Sequence, residues 1–352
     1  MKQMNILLLL FLVVAGGTAT SGSGASSLHK TAQHRLHFKH VEEWSQWKLK
    51  HTKSYESSLQ ELEHHLVWLS NKKYVDYHNA NQHIFGYTLA LNHLGDVTEK
   101  QYQDTYTCYS AASSIQRASI RVHETPPNFN ASSYPDSMDW RTKGAVGSVK
   151  NQWYGQCDSC YAFSAVGALE GATALAKGYF VSLSEQNIID CSIPYGNYGC
   201  SGGNHYNSFM YVIANDGIDK QSSYTYKGRQ DSCSYSDNYR GSSQSGIVQI
   251  KSGDESSLLA AVYSMGPIAV AVDARSNAFK YYSSGVFDSS RCTSTNLAHS
   301  MLLTGYGAYQ GKNYWLLKNS WGSQWGMSGY IMMTRNGYNQ CGIATDASYP
   351  TL

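Results

Sequence analysis

Residues 29–79 set Trp44, Trp47, Leu62, Leu66, Leu69 and Val75 at three- and four-residue steps among Lys, Glu and His, a period that predicts two helices. From Leu89 to Leu94 apolar and polar positions alternate, which predicts a short strand; Gly95-Asp96-Val97-Thr98 then reads as a turn into another short helix. Residues 110–137 lose all apolar period and carry Pro126-Pro127 and Pro135, so they read as an exposed linker open to proteolysis. Helical spacing returns at Cys160, where Phe163, Val166 and Leu169, or Ala162, Val166 and Leu169, recur until Lys177-Gly178 supplies a stop. Beyond about residue 245 the apolar runs shorten to strand length, at 246–250, 268–273, 300–305, 314–318 and 329–333. Helices followed by an antiparallel sheet make the downstream region α+β. The serine-rich pieces 21–27 and 283–294 read as flexible surface.

Composition adds a compartment. Lys2, the apolar run Ile6 to Ala15 and the small residues Gly17-Thr18-Ala19 have the layout of a cleaved secretory signal over residues 1–19. No other apolar run approaches the ~20 residues that span a bilayer, so no membrane anchor is expected. A net charge of +2 offers no footprint for nucleic acid. Eight cysteines in an exported chain suggest disulfides, and seven of them follow residue 134. Seven is odd, so one is expected to stay unpaired unless Cys108, in a segment of different character, takes it. Eleven of the thirteen histidines precede residue 134, so only His205 and His299 remain downstream as candidates for a histidine base. Asn130-Ala131-Ser132 is a glycosylation acceptor sequence in the linker.

Cys160 opens the helix that begins at residue 160, where the positive end of the helix dipole favours thiolate over thiol. It is therefore the candidate nucleophile. Cys157 and Cys160 alone have the spacing of a metal or redox pair, but there is no second such pair, and neither a metal nor a cofactor is expected.

The stretches CDSCYAF from Cys157, SLSEQNIIDCS from Ser182, GCSGG from Gly199, AHSMLLTGYG from Ala298, NYWLLKNSWGSQWG from Asn313 and CGIATDASYP from Cys341 resemble the papain family of cysteine peptidases, most closely its cathepsin L branch. Upstream, Gln60, His64, Trp68, Asn71, Val75 and Asn79, followed by Ala90, Asn92, Leu94 and Asp96, resemble that family's inhibitory propeptide. The resemblance implies a two-subdomain papain-like fold, with a prosegment at 20–133 and a peptidase domain at 134–352. Within that domain it implies a mainly helical half to 244 and a mainly β half from 245. Tyr161, EQNIIDCSIPYGN, SNAFKYYSSGVFDSSRC and TDASYPTL bear a narrower resemblance to the silicateins, the cathepsin L relatives associated with silica formation in sponges. Silicateins carry Ser where this chain has Cys160.

By resemblance, His299 is the base paired with Cys160, Asn319 orients the imidazole, and Trp321 shields that bond from water. The family's oxyanion glutamine falls on Tyr154. Gln152 serves if Trp153-Tyr154 loops out as an insertion, and Gln156 is the other candidate. Asp158 places a negative charge two residues from the nucleophile. The remaining cysteines are implied to pair as Cys157–Cys200, Cys191–Cys233 and Cys292–Cys341. Gly202 and Gly203 are implied to give substrate its backbone hydrogen bonds, and Asn204, His205, Ala271, Leu297, Ser300 and Asp346 to line the main specificity pocket.

These features give a peptidase made as a zymogen in the secretory pathway, extracellular or lysosomal. Its expected partners are protein or peptide substrates and its own propeptide. The alternatives are a silicatein-like protein that condenses silica or assembles into filaments, and an inactive homologue whose insertion and Asp158 disable it.

Overall fold

The computed structural model describes residues 40–111, 120–125, 129–155 and 157–352. The expected signal at 1–19, the serine-rich piece at 21–27, the pair Pro126-Pro127 and Gln156 lie outside them. Among the described residues no helix is long and apolar enough to cross a membrane.

The chain divides into two compact units, the first ending at Glu61 and the second running from Leu62 to Leu352. In the first, helical residues 40–50 (α1) present Trp44 and Trp47 as a stacked pair, with ring centroids 5.2 Å apart. Trp44 Nε1 donates to Glu61 Oε1 at 3.3 Å, and Lys48 pairs with the same carboxylate.

A 23-residue helix, α2 (Ser58–Ala80), continues into the second unit and buries Trp68, Asn71, Val75 and His78, one stripe at helical spacing. Its polar members close a network on the loop that follows. Asn71 Nδ2 donates to the carbonyls of Gly95 and Val97, and Asn79 makes a reciprocal pair with Leu89 through both amide atoms. After a short α3 (Gln82–Phe85), strand β1 covers Tyr87–Leu89, and α4 (Glu99–Thr105) starts in a capping box formed by Thr98 and Gln101. The alternation over 89–94 therefore misplaces the strand. Residues 90–94 form a loop because Asn92 donates to Lys280 O at 2.7 Å and accepts from Leu94 N at 2.9 Å, which holds that stretch out of a ladder.

The downstream elements are β2 (Arg121–Val122), β3 (Met138–Asp139), α5 (Cys160–Lys177), α6 (Glu185–Cys191), α7 (His205–Ala214), β4 (Ile218–Asp219), β5 (Arg240–Ser242), β6 (Gly246–Gln249), α8 (Glu255–Met265), β7 (Ile268–Val272), α9 (Asn277–Lys280), β8 (Tyr282–Phe287), β9 (His299–Tyr309), β10 (Lys312–Lys318), β11 (Tyr330–Thr334) and β12 (Ala347–Thr351). Ten strands share one sheet, in the order β1-β8-β11-β10-β9-β7-β12-β6-β2 with β3 on β9. Its pairings are antiparallel except β11 with β8 and β2 with β6. The expected α+β order of helices before sheet is thus observed.

Two local expectations are corrected. The linker is not featureless, since Arg121–Val122 adds to the sheet edge beside β6 and His123 Nδ1 lies 2.9 Å from Tyr349 Oη. Ser283 and Ser284 are strand residues of β8, where β1 pairs alongside with Thr88 opposite Ser284.

Helix α5 is buried on nearly every side, where a single apolar stripe was expected. The sequence permits this through small residues. A Cβ on Gly167 would come within 2.8 Å of Leu302, and one on Gly171 within 2.7 Å of Pro267, so glycine lets the sheet and its flanking loop close on the helix. Gly178, in the left-handed region at φ 76°, ends it.

Candidate active site

Cys160 is the first residue of α5 and has no solvent exposure. His299 opens β9, and Asn319 directly follows β10. These strands pair antiparallel with Leu302 opposite Lys318, so the register itself brings the start of one and the end of the other to the same edge. His299 Nε2 lies 2.8 Å from Asn319 Oδ1, and the imidazole packs on Trp321 at a ring-centroid distance of 4.8 Å. Ser300 N donates to Cys160 Sγ at 3.2 Å. Burial pushes the His299 pKa down to about 4, against a smaller upward effect of the Asn319 hydrogen bond. The structure therefore brings Cys160, His299, Asn319 and Trp321 together.

One expectation about this site is overturned. No cysteine is left unpaired, because Cys108 of the upstream segment forms a disulfide with Cys160 across a Cα separation of 5.9 Å. Cys108 Sγ also lies 3.4 Å from His299 Nδ1. Spacing could not reveal this partner, which sits 52 residues away and reaches Cys160 only because the chain after α4 crosses the site. Cys108, Cys160 and His299 each bring one potential ligand atom within 4.8 Å of the others, but a sulfur in a disulfide is not the thiolate a metal requires. The other three pairs are as implied, Cys157–Cys200, Cys191–Cys233 and Cys292–Cys341, with Cα separations of 4.6, 4.8 and 4.9 Å.

Gln152 is fully buried, and Trp153 to Gly155 form a turn that leaves Tyr154 exposed. The Gln152 side chain accepts from Ser320 Oγ at 2.6 Å and donates to Cys157 O at 3.4 Å. It is thus tied to the residue after Asn319 and to the loop that enters α5. Asp158 is half-buried with one carboxylate oxygen unpartnered, and burial raises its pKa to about 6. At neutral pH it still carries charge two residues from Cys160.

The expected subsite residues fall into two groups. Gly203 meets the upstream segment directly, its N–H donating to Cys108 O at 3.0 Å and its carbonyl accepting from Ser110 N at 2.9 Å. Gly202, at φ 99°, lies where a Cβ would come within 2.9 Å of Cys108 O. Asp346 accepts from the Tyr109 hydroxyl and lies 3.4 Å from His205 Nε2, while Ala271 N donates to Asp346 O at 2.9 Å. These residues lie around the segment 108–110, with the Tyr109 hydroxyl on Asp346 and the Tyr109 N–H on Ala298 O. Asn204 instead caps α7, accepting from Asn207 N and donating to Ser110 O, each at about hydrogen-bond length. Ser300 lines a small cavity with Lys150, Glu170, Glu185 and Lys318. Leu297 is half-buried beside the loop at Gly342. Asn130 is exposed, and its side chain accepts from Ser132 N at the start of a short turn.

Sequence reasoning missed the aromatic contacts that hold the upstream segment down. Tyr106 packs on Trp153 at 4.0 Å and edge-on to Trp321 at 6.4 Å, so Trp153 is a docking surface for the upstream segment. No spacing rule signals this, because Trp153 and Tyr106 belong to stretches of the chain that meet only in the fold.

Residues 134–351 match the model of the papain family cysteine protease, and residues 44–102 that of the cathepsin propeptide inhibitor domain (I29). The chain is 47% identical over 322 residues to a silicatein of Petrosia ficiformis, covering 88% of this chain and 94% of that one. It is 42% identical to a cathepsin L of Sarcophaga peregrina, covering 88% and 93%. Among solved structures, digestive procathepsin L 3 from the larval midgut of Tenebrio molitor aligns with a TM-score of 0.79 at 41% identity, over 89% of this chain and 99% of that one.

Proposed function

This chain belongs to the papain family of cysteine proteases and is a cathepsin L-like precursor that carries its own inhibitory propeptide; we infer that Cys160, His299 and Asn319 are its catalytic residues. The observation that carries the assignment is the array of Cys160 at a helix start, a His299 ring nitrogen within 4.8 Å of its sulfur, and His299 Nε2 held by Asn319. Cys160 is the nucleophile, since Cys108 lies outside both matched regions. Once freed, Cys160 exchanges its proton with His299 to give a thiolate and an imidazolium, which Asn319 orients. The thiolate attacks the peptide carbonyl, the imidazolium protonates the departing amine, and water activated by the imidazole then hydrolyses the thioester.

Gln152 supplies the side-chain oxyanion donor. Its carbonyl is fixed by Ser320, and its amide nitrogen has a second proton beyond the one facing Cys157. The Cys160 backbone N–H at the helix start supplies the other. Gly203 pairs with the substrate backbone, and Asp346, with His205 and Ala271 around it, floors the pocket for the second residue before the scissile bond. The prosegment ends near residue 133, maturation cuts the segment before Tyr134, Asn130 is glycosylated, and the precursor travels through the secretory pathway. Four disulfides support that route.

A second reading, a silica-associated role, is favoured by the silicatein relative. Both readings are tested on matured, reduced protein by titration with an epoxide that alkylates active cysteines, beside a peptide substrate. Labelling at Cys160 with turnover that disappears in Cys160→Ala supports peptidase function. Labelling without turnover supports the second reading, and turnover by Cys160→Ala refutes the assignment of the nucleophile.

A further inference from the structure

Of the four disulfides, only Cys108–Cys160 joins the prosegment to the peptidase region. We propose that Cys108 is a reducible covalent cap on the nucleophile, so that activation needs thiol exchange at this bond as well as cleavage of the chain between them. The inference rests on Cys160 being the nucleophile.

The cap is built into the way the segment is held. Gly203 grips the backbone on both sides of Tyr109 through its hydrogen bonds to Cys108 O and Ser110 N, and Tyr109 N donates to Ala298 O at 3.1 Å. The Tyr109 hydroxyl is anchored on Asp346. These contacts aim the Cys108 side chain at the first turn of α5, and the Cα separation falls within the span that disulfides occupy. Both cysteines are buried, Cys108 2% exposed and Cys160 not at all, so a reductant reaches the bond only when the segment lifts.

Proteolysis alone cannot complete activation in this arrangement. A cut anywhere from 111 to 133 severs the chain but leaves the prosegment bonded to Cys160 and Tyr109 held on Asp346 and Ala298. The nucleophile cannot perform the first cut on itself while its sulfur is in the bond.

The reductant is of the thiol class, a small monothiol or a protein dithiol. Its thiolate attacks Cys108 Sγ, the S–S bond breaks, and Cys160 leaves as the thiolate. The helix start and the neighbouring His299, which can take the proton given up by the incoming thiol, make Cys160 the better leaving group. A second thiol resolves the mixed disulfide on Cys108. The net change is two thiols oxidised to one disulfide, with Cys108 and Cys160 both reduced.

The test uses the full-length precursor, purified without thiol, and its Cys108→Ser and Cys108→Ala variants. Peptide mapping without reduction is expected to recover a peptide pair linked through Cys108 and Cys160. After cleavage of the linker by an added protease, wild-type protein is expected to keep its prosegment on a non-reducing gel and to show neither epoxide labelling at Cys160 nor peptide hydrolysis. Adding dithiothreitol is expected to release the prosegment and restore both. Either variant, cleaved identically, is expected to release its prosegment and label at Cys160 without added thiol. The proposal is overturned if no linked pair is found, or if the variants show the same thiol requirement as wild type. Variants that label but do not hydrolyse peptide support the cap while refuting peptidase function, so the two readings fail separately.

Discussion

Acid should loosen the capped precursor through His299. The imidazole is wholly buried under Trp321, and burial holds it neutral with a pKa of about 4, against ~6.5 for a histidine in water. Above pH 6.5 the covered and exposed forms are both neutral, and the covered state has its full stability. As pH falls from 6.5 toward 4 the exposed form binds a proton that the covered form does not, so stability is lost across that window and levels off below it. At pH 5 the loss amounts to about 2 kcal/mol, roughly a 30-fold rise in the opened population, out of about 3 kcal/mol for the whole shift. Denaturant unfolding of oxidised precursor at pH 7 and pH 5 measures it, because the capped nucleophile cannot digest the sample. Burial also holds His78 and His123 below the usual value, so the comparison is with His299→Gln. The wild type should lose about 2 kcal/mol more than the variant between the two pH values. Equal losses would refute the reasoning, since the proton would then be taken up elsewhere.

Trp153→Ala removes the ring against which Tyr106 packs and should weaken inhibition by the prosegment added in trans, by about 1 kcal/mol beyond lost area, with kcat of the mature enzyme unchanged. His78 is buried between Phe85 and Tyr87, with Nε2 3.1 Å from Tyr87 O, and burial holds its pKa below the usual value. Protonation as pH falls should detach β1 from β8, and His78→Gln should flatten the acid dependence of prosegment release, read by hydrogen exchange at Tyr87 to Leu89. Gln152→Ala should lower kcat by on the order of 100-fold with little change in KM, measured with a peptide substrate after reduction; a shift in KM alone would place Gln152 outside the oxyanion site. A carboxylate at the floor of the specificity pocket should let Arg be accepted beside Leu at the second residue before the scissile bond, and Asp346→Ala should remove turnover of the Arg substrate while sparing the Leu one, measured with paired substrates.

Much of this protein is readable along the chain, because local chemistry leaves local marks. The glycine stop and apolar spacing delimit α5, the turn at Gly95-Asp96-Val97-Thr98 leads into α4, and the short apolar runs after residue 245 correspond to strands of the sheet. Cys160, His299 and Asn319 stand in stretches that resemble the papain family, and the three disulfides within the peptidase region follow from that resemblance. What tertiary structure alone decided is which surfaces meet. The fate of the odd cysteine depended on the path of the chain after α4, which lays Cys108 over Cys160. Trp153, legible only as an insertion, gained its role from Tyr106, and the stretch around Arg121 became a strand because the edge of β6 was free to pair. Sequence patterns report the environment a residue prefers, apolar or polar, helical or extended. They do not report which of several compatible partners closes the contact, because that choice is made by loop closure and packing over tens of residues.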